Sequence, residues 1–332
     1  MMKTYVSKGQ RLNAAGTSVL KGLLLALVLQ SFHGGANRLL MAANVTASIT
    51  RQGDLEIRGD HEGNHFEMTH VFVGEGWSLY FLRGKNGTTI NGLAEDAFRC
   101  EDVTGDIDIR MGYRDDTVDL YGVSVLNDLR IDMGRGDDDV LLSVVVGGQV
   151  RVLTREGDDY VWMRSCNCNY MCPPSGSLDH RACDSLIVDT GNGSNDTVWA
   201  LGVHVSGNAI FSSRTGTNVF FLDRVVVMGS LEILGRAGEE LVCMFDVQVL
   251  NRIDITLRTH SDLVFMSGVQ VASDLNVSTG LANDFVHGWG LQVVGHARFD
   301  GGHGQDDWLQ LIGGNFFGGV APVGFEHQRR LR

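Results

Sequence analysis

An acidic residue stands two places before each of eight recurring hydrophobic anchors. Asp116, Asp138, Asp159 and Asp196 precede Val118, Val140, Val161 and Val198, and Glu240, Asp262, Asp284 and Asp306 precede Val242, Val264, Val286 and Trp308. Carboxylates in such a row could do three kinds of chemistry. Two at a set separation in a groove could hydrolyse a glycosidic bond. Several, with turn carbonyls, could supply the hard oxygen ligands of calcium. Each alone could accept hydrogen bonds from nearby turn N–H groups. Their positions follow a period: the anchors step by 22, 21 and 37 residues and then, from Val242, by 22 three times. Val219 falls between Val198 and Val242 as a further anchor, with Thr217 where the acid would stand. Acids distributed by period mark a repeated structural unit, whereas catalytic acids break the pattern.

The elements that must position this row are short. One unit reads Leu129-Arg-Ile131, then Gly134-Arg-Gly136-Asp-Asp138-Asp-Val140, then Val144-Val-Val146; others carry Ile253-Asp-Ile255 or Leu275-Asn-Val277 in the first place. Alternating segments of three to five residues, rich in Ile and Val, are strands, and no stretch holds a helical period over a dozen residues. Units of about 22 residues that bury their apolar side only against their neighbours form a solenoid. The fold class expected is therefore all-β, a right-handed parallel β-helix.

Stacking puts Ile107, Leu129, Val150, Ala209, Leu231, Ile253, Leu275 and Ala297 in one inward column, with a second column two places on. The intervening residues, including Asp108, Arg130, Arg151, Glu232, Asp254 and Arg298, form a solvated face of mixed sign. This sidedness lets a chain that is 43% hydrophobic remain soluble.

Residues 1–43 lie outside the repeat. Lys3, Lys8, Arg11 and Lys21 precede the apolar run Gly22-Leu-Leu-Leu-Ala-Leu-Val-Leu29, and Ala42-Ala43 follows, the order of an export signal. That run is too short to span a bilayer, and no later stretch would serve as a transmembrane segment of the mature chain. The solenoid domain then covers 44–332, with loop insertions expected near 84–100 and 164–184. Beyond the leader the only lysine is Lys85, and the net charge is −13, which disfavours nucleic acid as a partner. The second insertion holds Cys166, Cys168, Cys172 and Cys183. Two disulfides suit an exported chain; a tetrathiolate zinc site and free thiols are the alternatives.

Gly134-Arg-Gly-Asp-Asp138-Asp-Val140 and Gly302-His-Gly-Gln-Asp306-Asp-Trp308 resemble the turn half of the calcium-binding nonapeptide repeats of secreted bacterial proteins. Calcium on Asp116, Asp138, Asp159, Asp262, Asp284 and Asp306 is what that resemblance implies. Several copies replace a glycine of the turn, with Arg114, His260 or Ala282. The whole repeat, with Asn37-Arg-Leu-Leu-Met-Ala-Ala43 at the leader end and Asn315-Phe-Phe-Gly-Gly319 near the close, resembles mostly uncharacterised repeat proteins exported by planctomycete-type bacteria. That resemblance implies a secreted or envelope-associated solenoid and supplies no activity.

No His-Glu-x-x-His, nucleophile elbow or phosphate loop occurs. His260, His287, His296 and His303 read as surface or turn residues. Three functions follow as expectations: a non-catalytic structural or adhesive protein of the cell surface or matrix, a carbohydrate-binding or polysaccharide lyase- or hydrolase-like β-helix, and a calcium-dependent matrix protein. The partners implied are extracellular polysaccharide or cell-envelope components.

Overall fold

In the computed structural model, which describes residues 43–74, 77–165 and 183–331, the chain is an all-β solenoid of about nine turns with about 22 residues per coil. Its first sheet is one short strand per coil, paired in parallel with the strands before and after. Leu129–Arg135 lies between Ile107–Tyr113 and Gln149–Leu153, so that Ile107, Leu129 and Val150 stack in register. The same column continues through Ala209, Leu231, Ile253, Leu275 and Ala297. Leu55 and Leu186 join it at two places where the sequence spacing is irregular. Every member of the column is at most 2% exposed. Pleating sends alternate side chains to opposite faces, so the Leu and Ile positions fill the interior while Asp108 and Arg130 point to water.

The second sheet carries the anchors. Val118, Val140, Val161, Val198, Phe220, Val242, Val264, Val286 and Leu309 are stacked in register. In two coils the anchor therefore lies one residue later than expected, at Phe220 and Leu309. A short third segment, such as Val226–Val227 or Gln248–Val249, closes each coil. The bend into it demands a left-handed backbone. Gly202, Gly268 and Gly290 supply it with φ of 64°, 68° and 62°, and Arg224 and Asp246 adopt it at 54° and 52°.

The first end is a cap, where residues 84–100 had been expected to form a loop insertion. His65–Gly74 and Trp77–Gly84 pair antiparallel, Glu95–Arg99 joins antiparallel, and Thr89–Ile90 pairs with the start of Asn44–Ile49. An open solenoid end exposes apolar interior and unpaired strand edges, which this antiparallel meander covers. At the other end Val320–Val323 completes the first sheet as its edge strand, where Pro322 costs no internal ladder bond.

Most of the cysteine-rich insertion lies outside the described residues. Its flanks show that the stack passes across it unbroken: Val161 pairs with Val198 and Val150 with Leu186.

Candidate functional site

The recurring acids face inward and form a ladder between coils. The backbone N–H of Asp116 donates to Asp138 Oδ1 at 2.8 Å, that of Asp138 to Asp159 Oδ1 at 3.0 Å, and that of Asp159 to Asp196 Oδ1 at 3.1 Å. Asp196 N–H donates to Asn218 Oδ1 at 3.3 Å, and Asn218 Nδ2 lies 3.4 Å from Glu240 Oε1. Glu240, Asp262 and Asp284 donate in turn to Asp262, Asp284 and Asp307, each at 2.8 Å. Asn64 begins the ladder on Asp116 and Glu326 ends it on Asp307. Each rung uses an acceptor from the next coil to satisfy a buried donor of the turn, which is why the residue type recurs.

Two sequence assignments change here. Asn218, not Thr217, stands in the column, and Asp307 replaces Asp306. Asp306 is exposed and pairs with Trp308 Nε1 and His327 Nε2, both at 2.9 Å. With the anchors at Phe220 and Leu309 the two-residue count holds throughout. An unbroken step of 22 from Val198 to Val242 passes through 220, so the sequence contained that signal; the single extra residue before Leu309 left none.

Only one oxygen of most rungs is satisfied. Oδ2 of Asp116, Asp138, Asp159, Asp196, Asp262 and Asp284, with Oε2 of Glu240, is buried without a hydrogen-bond partner. Burial accordingly raises these acids. Asp159 is pushed up to about 6 and Asp116, Asp196 and Asp284 to about 7, in each case by desolvation first and with ladder hydrogen bonds opposing. Asp138 reaches about 9 through desolvation, with neighbouring acids adding to it. Glu240 and Asp262 are both raised by burial.

One other position in the coil differs from rung to rung. Thr154, Thr190 and Thr279 stand beside Asp159, Asp196 and Asp284 and favour the ionised form, while each hydroxyl donates to a carbonyl of the next coil. By register the coils of Asp116 and Asp138 carry Met111 and Met133 at that position, and the coil of Asp262 carries Leu257. No hydroxyl there opposes desolvation in these coils; beside Asp116 the Asn64 side-chain amide does so instead.

What this row can do is hold protons. A calcium ion takes about six to eight oxygen ligands, whereas each rung presents one unengaged oxygen, and no metal-capable group of three or more His, Cys, Asp or Glu occurs among the described residues.

Cys183, a disulfide candidate, is a free thiol 1% exposed in the apolar core, where burial pushes it up to about 12. It bridges Val205 as part of the stack and does not belong to the loop. Cys166, Cys168 and Cys172 lie outside the described residues. His287, expected at the surface or in a turn, is 5% exposed and stacks on Phe265 with centroids 5.0 Å apart and planes at 4°. Burial lowers its pKa and keeps it neutral. Both carry the period of the anchors one residue on, after Val264 and Val286, and pleating turns them to the outer side of the second sheet.

The fold and the ladder define a class: a parallel β-solenoid whose coils are joined by an internal row of carboxyl groups. Comparison with protein-family models, with curated proteins and with solved structures gave no match.

Proposed function

We propose that this chain is a non-catalytic solenoid scaffold that acts outside the cytoplasm, at the cell surface or in the extracellular matrix. The observation that carries the reading is the direction of the acids. The eight recurring carboxylates of the ladder are turned into the interior and occupied in joining coils, so they are spent on structure and unavailable to a substrate. Burial raises these acids, so protons can relieve much of the like-charge repulsion along the row without a cation. The leader of residues 1–43 supports export.

Producing the full chain in a bacterial host and fractionating the culture tests this. The reading expects the protein in the periplasm or medium with a new N-terminus near Ala43; retention in the cytoplasm with Met1 intact would sink it. The same material incubated with polyuronate should release no new reducing ends or unsaturated products, and release of either would favour the lyase or hydrolase reading.

The calcium-dependent alternative has one observation in its favour, the row of buried unpartnered oxygens. Thermal unfolding in chelator and in millimolar calcium separates the two. The proton reading predicts coincident melting curves, and a clear upward shift with calcium would replace it.

A further inference from the structure

A row of arginines occupies the corner just after the first sheet. By register Arg214, Arg236 and Arg258 stand in successive coils, and Arg155 stands in the same row two coils before Arg214, with Gly191 in the coil between. Coils stack about 4.8 Å apart, so these like charges crowd one another along the axis. Basic charge past the leader is carried almost wholly by arginine, with Lys85 the one lysine, in a chain of net charge −13.

Compensation of the row stops half-way. Arg155 forks onto Asp132 through Nε and Nη2, and Arg214 reaches Asp189 at 3.3 Å; in each case the acid belongs to an earlier coil, at the fourth position of the stacked first-sheet register. The residues at that place before Arg236 and Arg258 are Ser212 and Leu234. Both arginines are exposed and have no ion pair or hydrogen bond among the described residues. The paired end opens onto a concavity of about 560 Å³ whose lining includes Arg135, Arg151, Arg155, Arg214 and Tyr113. Arg151 is likewise unpaired among the described residues. Arg155 and Arg214 remain more than half exposed, and a guanidinium has five N–H donors, so a second edge of each is free.

We propose that this corner binds a carboxylated polysaccharide laid along the solenoid axis, one uronate carboxylate per guanidinium. A planar carboxylate matches the guanidinium fork in two hydrogen bonds. The coil repeat is comparable with the length of one pyranose, so a polymer can keep register over several coils. Asp132, Glu156 and Asp189 beside the row confine anion binding to the guanidinium line itself, whereas a phosphate-dense strand needs a broad basic surface. The inference extends the reading of an extracellular scaffold, and binding in vitro is independent of export, so either can fail alone.

The test is calorimetric titration of the full chain with a hexameric oligouronate, the dimeric oligouronate, a neutral hexasaccharide and a single-stranded oligonucleotide. The hexamer should bind in a salt-dependent manner and more tightly than the dimer, and the neutral sugar should not bind. The double variant Arg236→Gln with Arg258→Gln breaks no contact and should melt with the wild type. It should weaken the hexamer by at least about tenfold, the scale of losing two charge-assisted sites. Absent hexamer binding, equal binding of the neutral sugar, tighter binding of the oligonucleotide, or unchanged affinity in the double variant would each overturn the proposal.

Discussion

Gly235 and Glu240 fit one another. A Cβ on Gly235 would lie 2.4 Å from Glu240 Cδ and 2.7 Å from its Cγ. Glu240 is the one glutamate among the aspartates of the buried ladder, and Gly235 makes room for its extra methylene. Gly235→Ala should therefore destabilise by about 1–3 kcal/mol through overpacking. Adding Glu240→Asp should recover part of the loss in a double-mutant cycle followed by urea denaturation. Additive effects of the two changes would show that they do not share the space.

Stability should fall as pH rises. Folding lifts Asp159 to about 6, Asp116, Asp196 and Asp284 to about 7 and Asp138 to about 9, against about 3.9 for an unperturbed aspartate. The native state then holds more protons than the unfolded chain between those limits. The stabilisation is complete below the unfolded value and is lost as pH climbs through about 6 to about 9. Urea midpoints at pH 5, 7 and 9 should decrease in that order, and a midpoint that rose with pH would contradict protonated rungs.

Asp138→Asn isolates one rung. An amide keeps the acceptor for Asp116 N–H and never ionises, and Asn218 already fills that role two coils beyond Asp159. Asn218 also donates from Nδ2 to the carbonyls of Thr215 and Gly216 at 3.1 and 3.4 Å, which an amide at 138 could copy in its own turn. At pH 5 the variant should match the wild type within about 1 kcal/mol, the worth of a typical hydrogen bond. At pH 9 it should be the more stable of the two in the same urea titration.

Ala282 holds φ of 79° at the turn, and His260 and Arg114 hold 70°. A non-glycine residue there costs about 1–2 kcal/mol, part of which glycine returns as unfolded-chain entropy. Ala282→Gly should raise stability by about 0.5–1 kcal/mol on that balance, read as a higher melting temperature. An unchanged or lower value would mean that the turn relaxes without strain.

The parallel solenoid and both inward columns of the first sheet were legible from Ile107, Leu129 and their repeats, because closing one coil takes a fixed length of chain. Period alone placed the acids on one line. It misplaced two members, Thr217 for Asn218 and Asp306 for Asp307, since an adjacent Val219 or Trp308 offers an equally hydrophobic anchor; a strict step of 22 points to Phe220, whereas only strand register picks out Leu309. The antiparallel cap over residues 84–100 carries no period to read. The sequence thus determined which residues recur and therefore which must stack. Tertiary structure alone decided that the acids face inward with one oxygen unpartnered, and that Arg236 and Arg258 meet Ser212 and Leu234 where other coils offer an aspartate. Both outcomes depend on contacts between coils, and those exist only once residues about 22 apart in the chain lie one strand spacing apart in space.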